Sequence, residues 1–175
     1  MRKPTSQNKC ANEVLPVKKM TKEIKITRLN SGDKDLIGQI ADWYFDEWNI
    51  PRTTTINRLA NQPNNDVLFQ LVLTKDSKPI ATGGLYNNVG LLNDHKKFNH
   101  FKPWVALLYT DKHSRNQGIG QMLLKEIEGA AKELKVSTIY LYTFTAETLY
   151  KRSGWLQIES VSYKGHDTVI MEKKV

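Results

Sequence analysis

Residues 115–120 of this 175-residue chain read Arg-Asn-Gln-Gly-Ile-Gly, between an apolar run at 105–109 and a stretch of helical periodicity at 119–134. The order predicts a strand, a glycine turn and the start of a helix. The first turn of a helix leaves backbone amides without intrahelical partners and carries about half a positive charge from its dipole, so phosphate groups bind there. Glycines at 118 and 120 let the backbone come close to such a group. Two familiar phosphate loops fail at once. A Walker loop needs Lys and then Ser or Thr after its last glycine, but Gln121 and Met122 follow Gly120. A dinucleotide fold needs a third small residue and an acid about twenty positions on, whereas Leu123 and Tyr140 stand there.

The elements that must hold this turn can be read from periodicity. Ile24 and Ile26 alternate with polar residues, predicting a strand over 23–28. Ser31-Gly32-Asp33 offers a helix start, and Leu36, Ile37, Ile40, Trp43, Tyr44 and Trp48 follow at helical spacing before Pro51. A shorter helix is expected over 53–61. Residues 67–74 and 80–86 form a hairpin through the turn at 75–78, the second strand weakened by Gly83-Gly84. The polar stretch 87–102 is read as a loop, long enough to serve a site. Beyond it come a strand at 105–110, the glycine turn, a helix at 120–135, a strand at 137–143 and a short helix at 146–153. Two last strands, 156–163 and 168–172, flank the turn at Lys164-Gly165-His166-Asp167.

Composition sets the bounds around this order. Hydrophobic residues make up 39% of the chain, enough for one core, and no apolar run reaches the roughly 18 residues of a membrane span. A single cysteine, Cys10, excludes an internal disulfide and a cysteine-based metal cluster, which suits a reducing cytoplasm. No metal is expected. The net charge is +8, and half of it sits in residues 1–19, where Arg2, Lys3, Lys9, Lys18 and Lys19 face only Glu13. This segment reads as a flexible basic tail before a single domain at 20–175: an arm for nucleic acid, or a solvated extension, which is the default for a terminus.

Arg115, Gly118 and Gly120 make up an Arg-x-x-Gly-x-Gly pattern. It resembles the acetyl-CoA signature of the GCN5-related N-acetyltransferase (GNAT) superfamily, and the element order from residue 23 onward resembles the whole GNAT fold. The resemblance implies an α/β fold of α+β type, a central mixed twisted sheet of about six to seven strands flanked by about four helices. It implies a strand that bends away from its neighbour, with Leu108, Tyr109 and Thr110 against the pantetheine arm of acetyl-CoA. The pyrophosphate would lie on the turn, Arg115, Asn116, Gln117, Gly118, Ile119, Gly120 and Gln121. Lys112 stands where a proline is frequent and Asn116 where a glycine is frequent; asparagine tolerates the left-handed backbone. Thr143 replaces an asparagine often found against pantetheine.

The resemblance also places Tyr150, four residues before Gly154, as the acid that protonates the departing thiolate. A phenol, with a reference pKa near 10, carries that proton at neutral pH without charge. The first helix usually lines the acceptor groove, so Asp46, Glu47 and Trp48 are candidates for a cationic amine, with a small amine favoured. No acid lies on the strand at 105–110, and His95 and His100 of the long loop are the remaining candidate bases; His113, just before the glycine turn, is a candidate cofactor contact or a solvent-facing residue. The resulting expectation is a cytoplasmic N-acetyltransferase acting by direct attack of a small-molecule or peptide amine in a ternary complex, without nucleic acid or membrane, and pairing into a homodimer as relatives often do. The alternative is an acyl-CoA-binding module with a regulatory role.

Overall fold

The computed structural model describes residues 23–175; the basic segment 1–19 lies outside the described residues. The chain runs β1 (Ile24–Arg28), α1 (Lys34–Trp48), α2 (Arg52–Ala60), β2 (Val67–Lys75), β3 (Lys78–Tyr86), α3 (Leu91–Asp94), β4 (Trp104–Thr110), α4 (Ile119–Glu133), β5 (Thr138–Thr143), α5 (Glu147–Arg152), β6 (Leu156–Tyr163) and β7 (His166–Lys174). Seven strands form one mixed sheet in the order β1-β2-β3-β4-β5-β7-β6. This is the GNAT architecture expected from the sequence.

Local chemistry sets the element ends. The Asp33 carboxylate accepts the Leu36 amide at 3.1 Å and starts α1, and Asn49, left-handed at φ 54°, closes it by donating to the Phe45 carbonyl at 2.8 Å. On one sheet face α4 buries Leu123, Leu124 and Ile127 against Leu71, Leu73, Leu85, Ile139 and Met171. The opposite face is covered in two parts. Ile37, Ile40 and Tyr44 of α1 and Leu59 of α2 pack on Val72 and Tyr109. Farther along, Leu91, Leu92 and Phe98 pack on Tyr86, Trp104, Tyr163 and Ile170.

That second part is the stretch 87–102, read from the sequence as a polar loop. It holds α3 and a 3-10 turn at Lys96–Phe98, whose three apolar side chains are buried. With α3, the described residues hold five helices where about four were expected. Five apolar residues scattered through sixteen show no period, yet they are enough to pin a segment to a sheet.

β4 is the strand that matters for function. It runs antiparallel to β3 along its length, but pairs with β5, in parallel, only at Trp104 and Tyr140. Past that point the two strands part.

Burial also makes the fold sensitive to alkali. It pushes the phenols of Tyr44, Tyr86 and Tyr142 well above the ordinary tyrosine value of 10, and that of Tyr150 up to about 12. An unfolded chain ionises its tyrosines near pH 10 while the folded chain holds their protons, so their contribution is full below pH 10 and is lost as pH rises through the folded values. Thermal denaturation from pH 8 to pH 12 should show Tm falling steeply only above about 10, with tyrosinate absorbance appearing on unfolding. Ionisation of all seven tyrosines near pH 10 in the folded protein would contradict this burial.

Candidate active site

The opening between β4 and β5 is widened by a bulge. Leu107 and Leu108 together stand opposite Gly83 of β3, where the register shifts, and Leu107 takes φ 56°. A side chain on Gly83 would bring its Cβ to 2.8 Å from Leu108 Cδ1 and 3.3 Å from Leu108 Cα, so glycine gives the bulge its room. Beyond Trp104, β4 has no strand on its β5 side, which leaves backbone groups of that edge open to a ligand. Leu108, Tyr109 and Thr110 all lie on this length.

The turn follows directly. The Asp111 amide donates to the Ile80 carbonyl at 2.8 Å, and its carboxylate accepts the His113 amide at 3.0 Å, starting a 3-10 turn at Lys112–Ser114. A capping aspartate thus shapes the turn where a proline is frequent. Asn116 adopts φ 61° and Gly118 φ 76°, both left-handed. Gly118 caps α4 without a side-chain hydrogen bond, and the first helical bond runs from Met122 to the Gly118 carbonyl at 3.0 Å. Among the described residues no acceptor takes the amides of Asn116, Gln117, Gly118, Ile119, Gly120 or Gln121. Six free donors around a helix start fit a diphosphate.

A Gly118→Val substitution is expected to raise the Kd for acetyl-CoA by about tenfold or more, because a side chain in the left-handed region costs about 1–2 kcal/mol and the turn re-forms to avoid it. Gly120→Ala is the control. Its Cβ would lie 3.6 Å from Thr110 Oγ1, an ordinary contact, so Tm should hold. Isothermal titration reads the first and thermal denaturation the second; equal affinity in Gly118→Val would show that the turn does not hold the phosphates.

Three of the expected site residues are brought together in an unforeseen way. Arg115 donates from Nη2 to Glu47 at 2.9 Å and from Nε to the Thr110 carbonyl at 2.9 Å. Its charge therefore faces an acid of α1. Trp43 stacks on Tyr109 at 5.0 Å between ring centroids, and Trp48 meets the same ring edge-on at 6.2 Å. Glu47 and Trp48 thus tie the end of α1 to the end of β4, while Asp46 is exposed. The ion pair is half-exposed and contributes at most about 1 kcal/mol. What it fixes is position.

Across the opening, Thr143 ends β5, and its hydroxyl accepts the Thr145 amide at 3.3 Å and the Ala146 amide at 3.0 Å, which shapes the turn that leads into α5. Tyr150 sits on α5 with its ring packed against the apolar cluster beneath α4 and edge-on to Trp155 at 6.0 Å. Its hydroxyl bonds to no described residue, and burial alone raises its pKa. The candidate bases, His95 and His100, stand elsewhere, as does His113. His95 lies 3.0 Å from the Ser162 carbonyl, His100 packs beside Phe101, and His113 is exposed on the 3-10 turn.

On the face opposite α4, a cleft beside the bulge is lined by Tyr44, Thr54, Thr55, Arg58, Tyr86 and Leu107. A buried polar network underlies it. Gln70, fully buried, donates to the Tyr44 hydroxyl at 2.9 Å and to Thr82 Oγ1 at 2.5 Å, and accepts from the Tyr86 hydroxyl at 2.6 Å. Tyr44 in turn donates to the carbonyl of Leu107 at 3.0 Å. One side-chain amide thereby connects α1, β2, β3 and the bulge. No local pattern in the sequence marks Gln70 or Arg58, because each acts through residues far away in the chain.

The sequence matches the acetyltransferase (GNAT) family over residues 36–155. No curated protein matches it. Among solved structures the fold is similar to an aminoglycoside 6'-N-acetyltransferase complexed with coenzyme A, at a TM-score of 0.68 and 12% identity over 86% of this chain and 96% of that one. It is also similar to Ard1 from Thermoplasma volcanium, at a TM-score of 0.64 and 15% identity over 87% of this chain and 97% of that one. A ribosomal-protein-S18-alanine N-acetyltransferase from Escherichia coli gives a TM-score of 0.62 and 18% identity over 87% and 94%. At such identities the structures speak to the fold, and the sequence match, which spans more than half of the chain, speaks to membership. The chain belongs to the GNAT family of acetyltransferases.

Proposed function

We propose that the protein moves the acetyl group of acetyl-CoA to a primary amine by direct attack in a ternary complex. The observation that carries this reading is the adjacency of an unpaired, bulged strand edge and a turn with six free amides. Acetyl-CoA supplies an activated thioester. The residues of the chain supply position and hydrogen bonds. Amides of the bulge face charge that develops on the thioester oxygen, the electrostatic effect that often contributes most in acyl transfer. The turn at Arg115–Gly120 holds the diphosphate, and Tyr150 donates to the sulfur as it leaves. The acceptor amine enters from the cleft beside Leu107.

Among the described residues no carboxylate or imidazole lines that cleft, so the amine arrives neutral or gives its proton to water. Cys10 lies outside the described residues and takes no part in this reading, which has no covalent relay. A panel of amines offered with acetyl-CoA tests the function. The expected result is an acetylated amine, identified by mass, formed in step with free CoA; thiol release without any acetylated amine would instead favour a binding module.

A further inference from the structure

Among the described residues, Arg58 is the one charged residue lining the acceptor cleft. Its Nε and Nη2 make a two-point pair with the Asp66 carboxylate, at 2.9 and 3.1 Å, and Nη2 also donates to the Asn88 carbonyl at 2.9 Å. These bonds use one edge of the guanidinium. Its Nη1 meets no acceptor among the described residues. The group lies over the Tyr86 ring, 4.7 Å from the centroid, and only 29% of the side chain is exposed. Asp66 and Tyr86 thus hold a planar cation in one orientation beside the bulge, with two N–H groups unspent. Thr54 and Thr55 line the same cleft, and neither hydroxyl bonds to another described residue.

The acids of α1, which favoured a small cationic amine in the sequence, do not line this cleft. Glu47 is held by Arg115. A positively charged acceptor would therefore meet a cation and hydroxyls where it needs an anion. We infer that the acceptor amine carries a carboxylate, received by Nη1 of Arg58 with the Thr54 and Thr55 hydroxyls, so that the substrate is of the amino-acid type. This rests on the transferase reading above. A guanidinium whose far edge is fixed by Asp66 and Asn88 accepts a carboxylate on Nη1 at little cost in ordering, and partial burial limits screening by salt. Asp66, on the far edge, moderates the attraction, and the discrimination expected is at least tenfold. An analogue without the carboxylate leaves the cleft's donors unmatched, which is how such sites reject it.

The test uses the full chain with acetyl-CoA and a matched panel: common amino acids as free acids, as primary amides and as decarboxylated amines. The free acids are expected to give kcat/KM at least tenfold above their partners, the difference lying in KM. In Arg58→Gln that ratio should fall toward one while the Kd for acetyl-CoA stays unchanged. If Arg58→Gln leaves Asp66 unpaired and unfolds the chain, the double variant Arg58→Gln with Asp66→Asn removes both charges and takes the same measurement. Preference for amides or decarboxylated amines, or an undiminished ratio in the folded variant, overturns the inference while leaving acetyl transfer standing. If no amine is acetylated, the transferase reading fails by itself. The carboxylate site is then judged by Tm of the CoA-loaded protein with the same acids: a rise lost in the variant supports it, and no rise overturns it.

Discussion

Replacing Tyr150 with phenylalanine is expected to lower kcat by about 10²- to 10⁴-fold, the range of a positioned general acid. The ring packs against the apolar cluster and Trp155, and the hydroxyl bonds to no described residue. Phenylalanine keeps that packing, so Tm and the Kd for acetyl-CoA should stay near wild type. Burial holds the phenol at about 12, which keeps it protonated throughout the working range of pH. A phenol is already a weaker acid than a thiol, whose reference value is about 8.5, and the shift widens that gap. Its effect therefore comes from a hydrogen bond that strengthens as charge builds on sulfur, and the loss should fall nearer the lower end of the range. Because the phenol is neutral well beyond pH 9, the wild-type rate should show no decline from its ionisation between about pH 7 and 9. Single-turnover rates decide the matter, and an unchanged chemical step in the variant would remove Tyr150 from the mechanism.

Gly84→Ala should produce the largest loss of stability of any single methyl added to the sheet. Its Cβ would fall 2.4 Å from Gln70 Oε1, 2.5 Å from the Phe69 carbonyl and 2.8 Å from Tyr86 Cε2. A side-chain amide can rotate away, but a backbone carbonyl moves only if β2 and β3 separate. Overpacking of this kind costs about 3 kcal/mol or somewhat more. For a domain of this size that lowers Tm by about 6–12 °C. The effect reaches the site as well, because displacing Gln70 frees Tyr44 and with it the carbonyl of Leu107. Gly129→Ala on α4 is the matched control. No atom lies within 4 Å of its new Cβ, and a helical alanine is favoured over glycine by about 1 kcal/mol. If Gly84→Ala melts no lower than the wild type, β2 and β3 do not pack closely at Gly84.

Gly84 also marks the boundary between what was legible in the sequence and what was not. Gly83-Gly84 reads as a weakness in a strand; in the fold one glycine gives room to the bulge at Leu108 and the other to Gln70. Both reasons lie across strands, where no local pattern reaches. The bulge itself left no trace, since residues 105–109 are uniformly apolar and nothing distinguishes Leu107 at φ 56° from its neighbours. Signals that depend on near neighbours were legible. The cap at Asp33, the left-handed asparagine at 116 and the glycine start of α4 stand where their residue types suggested.

Pairings between distant residues were hidden. Arg115 and Glu47 are 68 positions apart and were read as facing different ligands, yet they face each other. Arg58 had no motif at all. Its chemistry comes from Asp66, eight residues on, and from Tyr86 on another strand. Thr143 shows a milder case: the substitution for asparagine was visible, but its bond to the Ala146 amide needed the start of α5 in place.

The central claim is that the donor lies along the unpaired edge of β4 with its diphosphate on the glycine turn. Amide spectra of the uniformly labelled chain, titrated with acetyl-CoA, test it at the atoms concerned. The largest shifts, with slowed hydrogen exchange, are expected at Leu108, Thr110 and the amides of Asn116 through Gln121, the last six of which have no acceptor among the described residues. Saturable binding that leaves those amides unmoved and shifts another surface would contradict it.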